Sequence, residues 1–499
     1  MNLADNKKIS PSLPKGFCDT GAEEIILREN IIRIFSDTCF QFGFDPIETP
    51  SFENAKMLGD FLPDQEKPQS GVFLIPDQEE TMALRYDLTA PLARYVAQNY
   101  DNLPKPFRRY QLGKVWRNEK PGPERFREFY QFDADTIGSS SVFADGEMCI
   151  LLNTILKKLL FDKNEYRIKI GNRKILNAIL QVTKIVETGD LSGKKFLTVV
   201  RAIDKMDRVG IKGVKDLLLE GRKDTSGDFT VGAGLSIEQA NTLLEFLDSG
   251  EQNSDEVLKK IRKLVGSNAI GIQGVEELQK ISDQLSKFNI LDETAFINMS
   301  VVRGLGYYTG PVFEAELLTQ LTNKKGKKIQ FGSIAGGGRY DNLLSRFKDQ
   351  IIPATGFSLG VNRLCIAMKQ IGKLKNGQNY GPVIVTCLDN SRLDEYQKMV
   401  NELRNENIRA ELYFGQSESL KAQLKYADKR NAIIVIIAGE DEFKENKVTI
   451  KNFLLGNETM SKIKSNEEWR QDKSSQFLVD RVKLVEEVKR IIDQLQSKV

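Results

Sequence analysis

The stretch from Phe107 to Gln131 constrains this chain more than any other. Phe107-Arg108-Arg109-Tyr110-Gln111-Leu112-Gly113-Lys114-Val115-Trp116 alternates as a strand does, and Arg117-Asn118-Glu119 closes it with Arg-x-Glu. Lys120-Pro121-Gly122-Pro123 then makes a loop, and Glu124-Arg125-Phe126-Arg127-Glu128-Phe129-Tyr130-Gln131 returns as a second strand. A hairpin that carries three arginines across a tight loop makes a poor hydrophobic core. It makes a good seat for a nucleoside triphosphate. Forked guanidiniums match phosphate oxygens, a carboxylate suits a metal or an adenine amino group, and a ring can stack on the base. The bland alternative is a salt-bridged surface hairpin.

Other segments carry chemistry of the same kind. Val301 and Val302 deliver Arg303 onto a glycine-flanked turn, Arg303-Gly304-Leu305-Gly306-Tyr307-Tyr308-Thr309-Gly310, ahead of a strand. Glycines beside an arginine let a phosphate approach the backbone. Tyrosine hydroxyls can both donate to and accept from a polar ring. Ala335-Gly336-Gly337-Gly338-Arg339-Tyr340-Asp341 has no following Lys-Ser/Thr, so it is not a phosphate-binding loop of the Walker type.

Histidine is absent from all 499 residues. That removes the commonest general base, the commonest metal ligand and every Ser-His or Cys-His dyad. Chemistry here must rest on Arg, Lys, carboxylates, Tyr or the substrate's own groups. The five cysteines are odd in number and far apart, which suggests neither a disulfide framework nor a zinc site. The net charge of +3 is nearly neutral, so any nucleic acid must be met by local patches. No apolar run reaches the ~20 residues of a membrane span, and the polar N-terminus reads as that of a cytoplasmic protein.

Ala22 to Phe42 has helical periodicity stopped by Gly43, and Phe44 to Glu53 reads as a strand meeting a proline. Thr81 to Tyr86 reads as a strand leading into Asp87-Leu88-Thr89, where Asp87 or Thr89 could cap the next helix. The region from about 174 to 290 is helical in period, lacks clear strands and reads as an insertion between motif-bearing segments. Residues 372–382 form a polar linker. Beyond it, strands at 383–387, 410–413 and 432–438 alternate with helices at 392–405, 420–429 and 480–496, which argues a compact α/β domain.

These motifs, in their order, resemble those of one family. Phe107–Gln131 is similar to the second signature of class II aminoacyl-tRNA synthetases, Phe44–Glu53 to the first, and Thr355-Gly356-Phe357-Ser358-Leu359-Gly360-Val361-Asn362-Arg363-Leu364 to the third. Arg303–Glu314 and Ala335–Asp341 resemble two motifs found in histidyl-tRNA synthetases. Leu424–Arg430 with Ile436–Glu442 resembles the class II anticodon-binding domain. The resemblance implies an α+β fold: a class II catalytic domain on an antiparallel sheet over 1–371, the helical insertion, and an α/β anticodon-binding domain over 383–499. It implies a ligase that uses ATP and Mg²⁺ to join L-histidine to tRNA(His), acting as a homodimer without a membrane.

Residue by residue, the resemblance puts Arg117, Glu119, Arg125, Phe129 and Arg363 on ATP, and makes Arg117 and Arg303 catalytic. Asp87, Leu88, Thr89, Arg117, Gln131, Asp135, Arg303, Tyr307 and Tyr308 fall on the histidine site. Asp87, Thr89 and Gln131 take the α-ammonium, and Asp135 with Tyr308 faces the imidazole. No protein metal site is implied. The chain departs from the family pattern at Gly306, where an acid is usual, at Asn362, where Glu is usual, and at Tyr130, where many members have histidine. The rivals are a regulatory subunit of ATP phosphoribosyltransferase, which shares the fold, and another class II synthetase. Met460-Ser461-Lys462 mimics a class I lysine loop, but that class also needs a histidine-containing motif. A chain free of histidine can be translated while charged histidyl-tRNA is scarce; codon bias is the alternative.

Overall fold

The computed structural model describes residues 10–58, 71–77, 80–122, 126–187, 193–223, 227–247, 253–301, 308–322, 328–342, 344–345, 347–373, 381–453 and 476–496. The chain divides into two compact units, Met1–Lys373 and Leu374–Val499.

The first unit is built on an eight-stranded sheet. Its spatial order is Asp45–Pro46, Phe107–Trp116, Glu128–Ile137, Ala354–Gly360, Lys328–Arg339, Pro311–Thr322, Tyr166–Asn172 and Ala295–Ile297. The six central strands pair antiparallel, and only the two outermost pairings are parallel. The helices Ala22–Gln41, Phe143–Lys158 and Val361–Gln370 pack on it. Phe35 of the first of these meets Phe132 of the sheet with ring centroids 5.0 Å apart. Side chains alternate along a strand, so Phe132 and Ala134 face these helices while Gln131, Asp133 and Asp135 face away. Arg109, Gln111 and Gly113 sit directly opposite Asp135, Asp133 and Gln131 in register. Paired residues share a face, so one polar face is assembled from two strands.

The inserted region runs through helices Arg173–Val182, Lys194–Ile203, Met206–Leu218, Ile237–Leu247, Ser254–Val265 and Ala269–Lys287. It also contains a hairpin, Gly221–Lys223 with Phe229–Val231, which the expectation of a strandless insertion missed. Asn172 pins the region to the sheet. Its side chain accepts from the Lys174 amide and donates to Glu277, which Lys174 also meets at 2.5 Å.

The second unit holds a five-stranded sheet in the order Ala410–Leu412, Val383–Val385, Ile434–Ile437, Lys447–Asn452 and Gln476–Asp480. Its first three strands are parallel and its last two antiparallel. Ile434 and Ile436 enter a core with Tyr396, Leu403 and Val488, while Val435 and Ile437 enter a second core with Ala427. A strand buried on both faces reads as a continuous apolar run, which is how 432–438 reads.

Several boundaries differ from expectation. Phe44–Glu53 is not one strand: Asp45–Pro46 joins the large sheet and Phe52–Asn54 joins a separate three-stranded one. The last helix begins at Leu484, because Gln476–Asp480 is a strand added to Lys447–Asn452. Lys447–Asn452 was also unforeseen; its Lys447, Thr449 and Lys451 break the apolar run, so only Val448 and Ile450 are buried apolar residues.

Candidate functional site

The polar face of the large sheet opens into a cavity of about 360 Å³. Arg117, Glu119 and Phe129 line it from the first hairpin. Ser333 to Gly336 line it from a central strand, and Ser358 to Gly360 with Asn362 and Arg363 from the strand-to-helix junction. Gln131 also reaches it. A volume of this size suits a nucleotide-sized ligand.

Arg117 is held between rings. Its guanidinium carbon lies 4.5 Å from the Tyr86 ring centre and 5.2 Å from that of Phe129. Its Nε donates to the Tyr86 carbonyl at 3.4 Å. Burial keeps the Tyr86 hydroxyl protonated, and it donates to Glu119 at 2.7 Å. Arg363 lies 4.9 Å over the Phe331 ring and donates to that residue's carbonyl at 2.9 Å. Asn362 accepts from the Tyr130 amide at 2.8 Å and so ties the junction to the hairpin.

Behind the cavity lies a buried polar cluster. Gln131 donates to Asp133 at 3.0 Å and to Ser358 at 2.9 Å, and Ser358 donates in turn to Asp133. Asp135 accepts from the Tyr340 hydroxyl through one oxygen, and its other oxygen lies 2.7 Å from the Arg109 guanidinium. Asp87 accepts from the amides of Thr89 and Ala90 at 3.2 and 3.0 Å, the cap that the sequence allowed. Burial pushes its carboxyl up, against the pull of those amides, Arg117 and Arg109. Leu88 is wholly buried, so only its backbone can serve a ligand. Tyr308 is half-buried against the apolar cluster that contains Tyr340. Arg125, Arg303 and Tyr307 lie outside the described residues.

Sequence reasoning did not single out Arg109, Asp133, Ser358 or Tyr340 for this site. Arg109, Tyr340 and Ser358 lay inside quoted motifs, and Asp133 could have been found by following strand alternation outward from Gln131. Arg85 was missed as well. It donates to the carbonyls of Lys114 and Thr49 at 2.8 and 2.7 Å, passing over Gly113, where a Cβ would sit 2.3 Å from its guanidinium.

Gly356 makes room for Asp135. A Cβ there would stand 2.0 Å from the Asp135 carboxylate and 2.5 Å from the Ala134 carbonyl. Gly356→Ala is therefore expected to cost about 1–3 kcal/mol by denaturant unfolding, the usual penalty for overpacking. Gly360, where a Cβ would meet nothing nearer than 3.9 Å, is the control for stability. Equal midpoints for the two variants would remove the steric reading.

Burial also pushes Asp133 up to about 7 from 3.8, opposed by Arg109 and reinforced by Asp135. A carboxyl whose folded pKa lies above its unfolded one binds its proton more tightly when folded. Its contribution to stability is then lost as pH rises from about 4 through about 7. In the ligand-free protein, the melting temperature of Asp133→Asn minus that of the wild type is expected to grow more positive from about pH 5 to about pH 8. A difference that stays flat would show that Asp133 titrates normally.

Among the described residues, no group of three or more His, Cys, Asp or Glu side chains could hold a metal ion. No helix is long and apolar enough among them to cross a membrane.

Comparison with known proteins bears on this geometry. The family model described as histidyl-tRNA synthetase matches residues 16–364, and that described as anticodon binding domain matches 382–491. The chain belongs to the histidyl-tRNA synthetase family. A histidine–tRNA ligase of Bartonella bacilliformis is 45% identical over 489 residues, 97% of this chain and 98% of that protein. One from Paracoccus denitrificans is 47% identical over 501 residues, 98% of this chain and 100% of that protein. The crystal structure of histidyl-tRNA synthetase from Nostoc sp. PCC 7120 superposes with a TM-score of 0.73 at 26% identity, covering 97% of this chain and 100% of that one. The chain is thus an aminoacyl-tRNA synthetase with the class II catalytic domain and an anticodon-binding domain. A Bacillus halodurans structure described as an ATP phosphoribosyltransferase regulatory subunit/histidyl-tRNA synthetase shares the fold, with a TM-score of 0.64 at 23% identity over 84% of this chain and 97% of that one.

Proposed function

We propose that this synthetase first joins L-histidine to AMP and then passes the histidyl group to the 3′ end of tRNA(His), with ATP seated in the cavity bounded by Arg117, Glu119, Phe129 and Arg363. The observation that carries this reading is convergence. Residues far apart in sequence, from two strands of a hairpin and from a strand-to-helix junction, line one cavity. Gln131 joins that cavity to the buried polar cluster.

The chemistry needs no nucleophile or base from the protein. A histidine carboxylate oxygen bonds to the α-phosphorus while the bond to pyrophosphate breaks. The terminal tRNA hydroxyl then attacks the activated carbonyl and AMP leaves. The protein's work is alignment and stabilisation of developing charge. Arg117 serves this from its place between the rings, and Arg303 is assigned to the α-phosphate by resemblance, as is Arg125 to ATP. On the histidine side, Asp87, Thr89 and Gln131 hold the α-ammonium, the Leu88 backbone flanks them, and Asp135 with Tyr307 and Tyr308 faces the imidazole. Mg²⁺, when bound, neutralises phosphate charge. The donor set fits a metal carried mainly by ATP, since among the described residues Glu119 is the carboxylate lining the cavity and Mg²⁺ commonly takes one carboxylate plus phosphates.

The domains are assigned as 1–371, with the insertion at about 174–290, a linker at 372–382, and 383–499 for the anticodon. A homodimer is supported by exposed apolar side chains around the first motif, Phe40 at 72% and Phe52 at 48% exposure. The protein is assigned to the cytoplasm. The test is ATP–pyrophosphate exchange without tRNA across the amino acids. Exchange with histidine alone is expected. No exchange with any, together with tight binding to a phosphoribosyltransferase catalytic subunit, would favour the regulatory reading. Exchange with another amino acid would favour another class II synthetase.

A further inference from the structure

We infer that Arg109 is a positioning residue for specificity: it compensates the charge of Asp135, so that the site takes histidine with a neutral imidazole and rejects the imidazolium. The inference rests on the assignment of Asp135 to the imidazole.

Arg109 is wholly buried, in a strand whose register places it directly opposite Asp135. One guanidinium nitrogen lies 2.7 Å from an Asp135 oxygen and 4.0 Å from an Asp133 oxygen. None of the three Arg109 guanidinium nitrogens makes a hydrogen bond among the described residues, so the guanidinium meets Asp135 as an ion pair and is not spent on carbonyls as those of Arg85 and Arg339 are. A hydrophobic side chain would pack here without a partner; a buried guanidinium persists where it meets negative charge.

The groups around Asp135 are few. Asp133 comes from its own strand, Arg109 from the neighbouring strand on one side, and Gly356 and Ser358 from the other, uncharged side. Tyr340 donates to it from the end of a central strand, and Asp87 with Arg117 lies beyond. Burial pushes the carboxyls of both Asp133 and Asp135 up and Arg109 is the cation that opposes this for each, so without it an entering imidazolium would be the cation left to balance them.

Imidazole titrates near pH 6.5, so histidine arrives in two forms. A bare buried carboxylate attracts the charged form and pulls a proton onto the ring. A carboxylate already in contact with a guanidinium still accepts an N–H, but it no longer rewards a second positive charge. The pocket built by Arg109 therefore prefers the neutral ring, and a site of this kind discriminates against substrates with a cationic group at that position. Arginine suits the role because it does not lose its charge.

The test reads KM for histidine against pH in pyrophosphate exchange. In the wild type KM is expected to rise as pH falls below about 6.5, following loss of the neutral ring. Arg109→Met is expected to raise KM at about pH 8 by at least 30-fold, with a smaller change in kcat, and to flatten or reverse the rise at low pH. Arg109→Lys, which keeps the charge, should recover most of the loss. If Arg109→Met does not fold, the pair Arg109→Met with Asp133→Asn removes one carboxylate along with the cation and is read the same way.

A second measurement needs no variant. Ring-¹⁵N-labelled L-histidine bound to the wild-type enzyme should show a neutral ring at about pH 6, where the free amino acid is largely protonated. A bound imidazolium at that pH overturns the inference, as does a folded Arg109→Met enzyme with wild-type KM and pH profile. If Asp135→Asn leaves KM for histidine unchanged, the imidazole assignment itself fails. If Asp135→Asn raises KM and Arg109→Met does not, only the role of Arg109 is lost.

Discussion

Replacing Arg117 by lysine is expected to slow histidine-dependent ATP–pyrophosphate exchange by about 10²- to 10³-fold while the fold survives. The side chain touches the rings of Tyr86 and Phe129 and the carbonyl of Tyr86, and it borders the cavity that would hold the triphosphate. Lysine keeps the charge. It loses the planar fork that can serve two phosphate oxygens at once, and it loses the flat surface that lies on the two rings. The effect should therefore fall on kcat and on kcat/KM together, as expected when a contact matters most in the transition state. Melting should shift little, because Arg117 is only part-buried and, among the described residues, its side chain makes a single long hydrogen bond, while its backbone bond to Arg127 is kept in the variant. A well-folded lysine variant with near-normal exchange would return this hairpin to the salt-bridged surface reading with which the sequence began.

That hairpin was legible for a physical reason. Its first strand alternates strictly, its loop is set by proline and glycine, and in the sequence Arg117, Arg125 and Arg127 gather around that loop. The strand Ile434–Ile437 was legible because both its faces are buried, which leaves an unbroken apolar run from Ala432 to Ala438. What the sequence hid was of another kind. Gln476–Asp480 adds to the exposed edge of its sheet, so only every second residue is half-buried and the pattern is faint. The inserted hairpin Gly221–Val231 is short, and its outer strand is exposed throughout. The role of Arg109 was invisible for a third reason. It depends on a register between two strands and on a glycine in a third, at Gly356, and neither is a property of the local sequence. Four of the residues assigned to ATP, Arg117, Glu119, Phe129 and Arg363, line one cavity, while its partnership with the buried cluster behind Gln131 came only from the fold.

A chain ending at Lys373 is expected to keep pyrophosphate exchange within about threefold of wild type, if it remains dimeric, and to lose at least about 10²-fold in tRNA charging. The second unit carries its own cores and is a separate compact body. Removing one of two modules that grip the same tRNA forfeits the effective concentration the second module supplies, commonly 10²- to 10⁴-fold. Within that unit the helix Leu420–Lys429 buries Gln423 and Ala427 and leaves Lys421, Lys425 and Lys429 exposed, four residues apart on one face. Gln423 is spent internally, bonding to the backbone of Cys387 and Ser417, and Arg430 at the helix end is paired with Glu411 at 2.7 Å. Among the cations of this helix and its cap, the three lysines are the ones without an ion pair among the described residues. Cations on a phosphate backbone act by releasing counterions, so their loss weakens binding and flattens its dependence on salt. The triple change of Lys421, Lys425 and Lys429 to Ala is expected to weaken tRNA binding by about 10-fold or more at low salt and to lower the slope of log affinity against log salt by about 1 to 2. Exchange should stay unchanged, since none of the three residues lines the cavity. A triple variant that charges tRNA with wild-type kinetics and an unaltered salt slope would make this face an ordinary solvated surface. The loss seen in the shortened chain would then have to come from the rest of the second unit.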